Sequence, residues 1–151
     1  MRRTRGLKLL CLGQCLQLAG LSLSLPYMAL YLNRERGLGM GVVGLFLALT
    51  MLATAFGQAA GGALSDKAGR RPVMVWSLVG RALLTFLLAA AVQGHWSVPA
   101  IVLTHMAGAF AGNLYFPAAH AWIAERWGRH ERLEAFGWLR VAANLGWAIG
   151  P

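Results

Sequence analysis

Long apolar stretches separated by short polar segments dominate this chain. The apolar stretches cover residues 9–32, 42–64, 72–92, 98–124 and 135–151. Each of the first four reaches the roughly 20 residues that a helix needs to cross the hydrocarbon core of a bilayer. The pattern therefore predicts an all-α integral membrane protein with four transmembrane helices and most of a fifth.

The composition supports a membrane protein and argues against a soluble one. Hydrophobic residues make up 58% of the chain and charged residues 13%, whereas a soluble domain has about 25% charged residues. The net charge of +9 would also suit a nucleic-acid-binding protein. However, the lysines and arginines cluster at the ends of the apolar stretches and form no continuous basic stripe, so they indicate topology instead.

The distribution of positive charge predicts that the N-terminus is cytoplasmic. Arg34 and Arg36 are the basic residues of the first connecting segment. The side that holds the N-terminus has ten: Arg2, Arg3, Arg5, Lys8, Lys67, Arg70, Arg71, Arg126, Arg129 and Arg132. Because cytoplasmic loops carry the excess of lysine and arginine, the side with ten is the cytoplasmic one.

A short charged segment separates the second and third apolar stretches. Its charged residues would be costly in hydrocarbon, at roughly 2.5–3.5 kcal/mol each. The segment is therefore predicted to form a loop at the membrane face, over residues 65–71. Gly69 can adopt the positive φ of a tight turn, and Pro72 is expected to open the next helix. The charged residues are Asp66, Lys67, Arg70 and Arg71.

The sequence around this loop resembles the segment between the second and third helices of the major facilitator superfamily. The matching positions are Gly62, Leu64, Asp66, Lys67, Gly69, Arg70 and Arg71. The resemblance implies a transporter with two six-helix halves that works by alternating access. It also implies that Asp66 contacts a helix of the second half and that Arg70 pairs with Glu125, as a conformational gate.

A second motif lies at the end of the chain, where Gly137, Gly146, Gly150 and Pro151 show the spacing Gly-x8-Gly-x3-Gly-Pro. This spacing resembles the fifth-helix motif of the drug:proton antiporter branch of the same superfamily. Such a helix packs closely and bends, so it suits a pivot. The chain departs from that branch at Thr104, where an arginine is usual.

Polar residues inside the apolar stretches are the candidates for lining a central cavity. Gln14, Gln17 and Ser24 share one face of the first helix, and the resemblance implies that the first and fourth helices line the cavity. On the fourth helix the candidates are Thr104, His105 and Asn113. His105 suits either a titrating group or a hydrogen-bonded packing residue.

Arg81 lies nine residues into its apolar stretch, about 13 Å deep, and Arg140 lies five residues into its own, about 8 Å deep. At these depths an arginine contacts an anionic substrate, couples to an acidic residue elsewhere, or is satisfied structurally by carbonyl groups or by snorkelling. The sequence leaves these alternatives open.

The sequence contains no catalytic motif, so an enzyme is not expected. Cys11 and Cys15 are four residues apart, which suits a soft metal, but no histidine or third cysteine lies near them in sequence. They are therefore interpreted as packing residues, and neither a metal nor a cofactor is expected.

The function that the resemblance implies is export of drugs or metabolites coupled to protons, in a bacterial-type plasma membrane. The expected partners are a small-molecule substrate, protons and the lipid bilayer, without nucleic acid. The chain corresponds to an incomplete N-terminal half, so the C-terminal half is expected to be required for transport. The alternatives are a sugar or metabolite uptake facilitator and a truncated, non-transporting protein that acts through helix–helix interaction.

Overall fold

The computed structural model describes the backbone of residues 2–149 and the side chains of residues 6–149 except that of His130. Within these residues the chain is helical and has no strand. The helices are α1 (Arg2–Leu30), α2 (Met40–Ala68), α3 (Arg70–Gln93), α4 (Val98–Asn113), α5 (Tyr115–Arg126) and α6 (Arg129–Ile149). A π-helical turn, Tyr31–Glu35, continues α1.

Three of these helical segments are long and apolar enough to cross a membrane: Gly6–Glu35, Met40–Ala68 and Arg70–Gln93. Large apolar side chains on them stay exposed, as Trp76 (72%) and Phe86 (75%) illustrate on α3. Exposed apolar surface of this extent is what the hydrocarbon of a bilayer covers. The all-helical membrane fold expected from the sequence is thereby confirmed.

The charged segment after α2 is helical, so the prediction of a loop over residues 65–71 was wrong. The α2 helix continues to Ala68 and α3 begins at Arg70, with only Gly69 between them. Gly69 has φ of +91°, as expected for a residue that reverses the chain within one position. Pro72 is the third residue of α3, where the N–H that proline lacks would have no partner within the helix.

The fourth apolar stretch is two helices, because α4 ends at Asn113 and α5 begins at Tyr115. Pro117 explains this break. It has no N–H to donate to the carbonyl of Asn113 four residues earlier, and its ring clashes with that carbonyl. The span predicted over residues 98–124 thus contains two helices, with the break at Leu114.

The second charged segment also differs from its prediction as a loop over residues 125–134. Only Trp127 and Gly128 lie outside the helices, because α5 runs to Arg126 and α6 begins at Arg129. Arg132 donates a hydrogen bond from Nε to the carbonyl of Trp127 at 2.8 Å, which caps the end of α5. The charged residues thus form helix ends instead of a loop.

The described chain divides into two compact units. The first comprises Met1–Tyr27 and Ala119–Pro151, and the second comprises Met28–Ala118. In the first unit, α6 approaches the backbone of α1 at Gly146, and Trp122 of α5 lies against Gly6 of α1.

The second unit is built from α2, α3, α4 and the end of α1. Its core is a set of six buried apolar residues: Met28, Leu32, Val43, Phe46, Ala91 and Ile101. On its surface, Arg36 donates hydrogen bonds from Nη2 to the carbonyl of Trp96 at 2.8 Å and from Nε to the hydroxyl of Tyr31 at 2.7 Å. Arg36 therefore joins the segment before α2 to the segment before α4.

Candidate functional site

The junction between α2 and α3 carries the first candidate site. Arg70, the first residue of α3, forms an ion pair with Asp66 in the last turn of α2. The same guanidinium donates a hydrogen bond from Nη1 to Ser65 Oγ at 2.7 Å, and Ser65 in turn donates to the carbonyl of Gly62 at 3.0 Å. The side chain of Asp66 is 63% exposed, so the ion pair itself contributes only about 0–1 kcal/mol.

The remaining residues of this site occupy helix ends. Lys67 and Arg71 are exposed on either side of Gly69, and Glu125 is exposed in the last turn of α5. The pairing of Arg70 with Glu125 stays a prediction. Ser65, which the sequence analysis did not single out, is 1% exposed and accepts the hydrogen bond that orients Arg70.

Two glycines of α2 allow the backbone of α4 to approach closely at its break. A Cβ on Gly57 would lie 2.5 Å from the carbonyl oxygen of Phe110, and a Cβ on Gly61 would lie 2.7 Å from Cα of Leu114. Any side chain at either glycine would therefore collide with main-chain atoms. Small residues in membrane helices permit this kind of contact.

Polar side chains of α2 and α3 complete the hydrogen bonding at the end of α4. Ser77 is fully buried, and its hydroxyl lies 2.6 Å from the carbonyl oxygen of Ala111 and 3.2 Å from that of Gly112. Carbonyl groups in the last turn of a helix lack partners within it, and hydrocarbon supplies none. The hydroxyl of Ser77 on α3 therefore donates to carbonyl groups at the end of α4.

Asn113, a candidate for the cavity wall, is instead enclosed by its neighbours and only 2% exposed. Its Nδ2 donates to the carbonyl of Ala109 at 2.7 Å and lies 3.5 Å from the hydroxyl of Thr54. Its Oδ1 accepts a hydrogen bond from Nε2 of Gln58 at 3.3 Å. The amide of Asn113 thus binds α4 to α2, and the exposed member of the pair is Gln58.

The other polar candidates of the second unit are Arg81, Thr104 and His105. His105 is 5% exposed, its ring packs edge-on against Phe46 at a centroid distance of 5.1 Å, and it lies within electrostatic range of Arg81. Arg81 is half-buried. Thr104 donates its hydroxyl to the carbonyl of Ala100 at 2.8 Å, a bond within its own helix.

The polar stripe of α1 lies in the first unit. Gln14 and Gln17 are buried, with exposed fractions of 6% and 4%, and Ser24 is half-buried. The side-chain carbonyl oxygen of Gln14 is buried, and no residue that the structure describes donates a hydrogen bond to it. Arg140 of α6, by contrast, is exposed.

The two described glycines of the α6 motif differ in how closely another helix approaches them. A Cβ on Gly146 would lie 2.5 Å from the carbonyl oxygen of Cys15, whereas a Cβ on Gly137 would meet nothing within 4 Å. Ser22 of α1 donates a hydrogen bond to the carbonyl of Gly146 at 3.3 Å. Gly150 and Pro151, the rest of the motif, lie outside the described residues.

Within residues 2–149, the part that the structure describes, no group of three or more histidine, cysteine or acidic residues is arranged to hold a metal ion. Cys11 and Cys15 are half-buried free thiols on α1. The polar residues brought together in the second unit are hydrogen-bonding groups and one cation, which suit solute recognition and helix packing rather than bond-making chemistry.

Comparison with known proteins identifies the family. The sequence model of the Major Facilitator Superfamily matches residues 10–151. An uncharacterized MFS-type transporter of Bacillus subtilis, YttB, is 32% identical over 146 residues, which cover 97% of this chain and 36% of that protein. The multidrug resistance protein MdtG of Salmonella typhi is 30% identical over 151 residues, covering 97% of this chain and 36% of MdtG.

A Na(+), Li(+), K(+)/H(+) antiporter of Planococcus maritimus is 27% identical over 150 residues, 97% of this chain and 34% of that protein. The chain thus spans about a third of the length of the curated relatives that it matches. These relatives are transporters and not enzymes. Since the family match extends over nearly the whole sequence, the chain belongs to the major facilitator superfamily.

Proposed function

We propose that this protein is a secondary transporter that exports small molecules from a bacterial-type cell by alternating access, coupled to proton entry. The observation that carries the proposal is the similarity over 97% of the chain to proteins that include a multidrug resistance protein and a cation/proton antiporter. The glycine motif of α6 supports export, because its spacing resembles the fifth-helix motif of the drug:proton antiporter branch.

The α2–α3 junction is proposed as part of the conformational gate. Asp66 and Arg70 form an ion pair there, and Arg70 is further oriented by Ser65, which is fixed to Gly62. A gate needs groups that exchange partners between two states at small energetic cost, and an exposed ion pair meets that requirement. In the proposal, Arg70 exchanges between Asp66 and Glu125 while Lys67 and Arg71 stay at the cytoplasmic surface.

Polar residues are proposed to line a cavity in each unit taken by itself: Gln14, Gln17, Ser24 and Arg140 in the first, and Arg81, Thr104, His105 and Asn113 in the second. The support is that Gln14 and His105 are polar, buried and located in helices with apolar surroundings. Polar groups at membrane depth are retained where they serve a cavity or a partner. Asn113 contributes indirectly, because it orients the exposed amide of Gln58.

The experiment that tests the proposal uses the full-length protein in liposomes that hold a pH gradient, monitored with a pH-sensitive acridine dye. Candidate solutes, cationic dyes and organic anions, are added one at a time. Antiport predicts that a transported solute discharges the gradient. Solute movement without proton movement would favour an uptake facilitator, and neither movement for any solute would favour a protein that acts through helix–helix interaction. Liposomes without protein are the control.

A further inference from the structure

Arg81 occupies the middle of α3. It lies 11 residues after Arg70 and 12 residues before Gln93, the two ends of that helix. At a rise of 1.5 Å per residue its Cα is about 17 Å from either end, so its side chain cannot reach the lipid headgroups along the helix. Snorkelling is therefore not available to this arginine.

No acidic residue is close in sequence to neutralise Arg81. The five acidic residues are Glu35, Asp66, Glu125, Glu131 and Glu134, so none lies in residues 36–65 or 67–124. Among the residues that the structure describes, no hydrogen bond or ion pair is made by the guanidinium of Arg81. A charge at the centre of a membrane helix requires such a partner.

Apolar side chains of α3 and α4, those of Leu84 and Ala111, lie at the contacts between these helices near Arg81. Helices α3 and α4 are in contact on either side of Arg81. A Cβ placed on Gly80 of α3 would lie 3.7 Å from Cβ of Ala111, and a Cβ placed on Gly108 of α4 would lie 3.6 Å from Cβ of Leu84. His105, itself at the middle of α4, lies within electrostatic range. Arg81 is only half-buried, so part of its side chain remains open to a ligand.

We propose that Arg81 binds the carboxylate of an organic anion that carries an apolar body. The guanidinium offers a planar fork of donors that matches a carboxylate at two points, and the apolar residues around it suit the rest of the ligand. Its depth agrees with substrate sites near the bilayer midplane. That the bound anion is also a transported solute rests on the proposed function. Binding of the anion to Arg81 does not depend on transport.

The test measures binding of radiolabelled benzoate to the full-length protein in nanodiscs of zwitterionic lipid. We expect saturable binding that Arg81→Gln weakens at least about tenfold, as expected for loss of a charged hydrogen-bonding partner. Arg81→Lys should bind with intermediate affinity, because it keeps the charge and loses the fork. Benzamide, the neutral analogue of the same shape, should not compete.

Arg34→Gln is the matched control, since Arg34 is an exposed arginine of the π-helical turn and should leave benzoate affinity unchanged. Should Arg81→Gln fail to fold, Arg81→Lys and the benzamide competition decide the question. Absence of saturable binding, equal affinity in the Arg81 variants, or competition by benzamide would each overturn the anion site. If coupled proton flux persists with another solute while benzoate fails to bind, the anion site alone is refuted and the transport proposal stands.

Discussion

Gly146 and Gly137 provide a matched pair of substitutions within one helix. A Cβ on Gly146 would lie 2.5 Å from the carbonyl oxygen of Cys15 and 3.1 Å from the amide nitrogen of Ala19, both main-chain atoms of α1. Main-chain atoms of a packed helix cannot move aside as the tip of a flexible side chain does. Gly146→Ala must therefore push α6 away from α1, whereas Gly137→Ala enters open space.

The expected magnitude follows from three contributions. Overpacking at Gly146 costs about 1–3 kcal/mol. Separation of the helices also weakens the 3.3 Å hydrogen bond from Ser22 to the carbonyl of Gly146, worth about 0.6 kcal/mol in a membrane protein. Alanine returns about 1 kcal/mol through its higher helix propensity. We therefore expect Gly146→Ala to lower the free energy of unfolding by about 0.6–2.6 kcal/mol, and Gly137→Ala to leave it unchanged or raise it by up to about 1 kcal/mol.

The assay is reversible unfolding in mixed micelles with increasing SDS, followed by the helical circular dichroism signal. The free energy of unfolding is compared between wild type and the two variants under identical lipid and detergent. Equal stability of Gly146→Ala and wild type, or equal losses in both variants, would refute the argument that close backbone contact at Gly146 holds α6 to α1.

Further predictions concern the broken helix, the gate and the cavity. Ser77→Ala removes the hydroxyl that donates to the carbonyl of Ala111 and should destabilise the protein by about 1–2 kcal/mol, whereas Thr85→Val, which removes an exposed bond within α3, should change stability by less than about 0.5 kcal/mol; similar losses in both would contradict this account. Arg70→Glu should abolish transport and the added change Glu125→Arg should restore part of it, whereas failure of the double variant to exceed the single one would count against the proposed pairing. In a background without the native cysteines, single cysteines at positions 14, 17, 58 and 105 should react with water-soluble thiol reagents, where position 58 stands for the exposed amide that Asn113 orients. Protection of all four would refute the cavity assignment.

The sequence identified the fold class because long apolar runs dominate it, but hydropathy misplaced several helix ends. Charged residues were assigned to loops, although the last turn of α2 and the first turn of α3 carry them within helices. A helix end that projects into water tolerates charge, and Asp66 and Arg70 neutralise one another there. Apolarity therefore marks where the hydrocarbon begins and not where a helix ends.

The break at Leu114 was missed for a related reason. The residues around it are apolar, so hydropathy does not change there, and the visible signal was Pro117 with its effect on the carbonyl four residues earlier. The polar character of His105 and Asn113 did single them out within an apolar stretch, and both are buried, while their role in a cavity stays a prediction. Ser77 had no such signal, because a serine in a membrane helix usually bonds to its own backbone, and only the position of α4 shows that it serves a neighbour.

The central claim is that solute export is coupled to proton entry, and the most direct measurement records both fluxes in one preparation of liposomes containing the full-length protein. The account predicts that solute and protons move in opposite directions and that collapse of the pH gradient by a protonophore abolishes uphill solute movement. Solute flux that is unchanged after the gradient is collapsed, or movement of both species in the same direction, would contradict it.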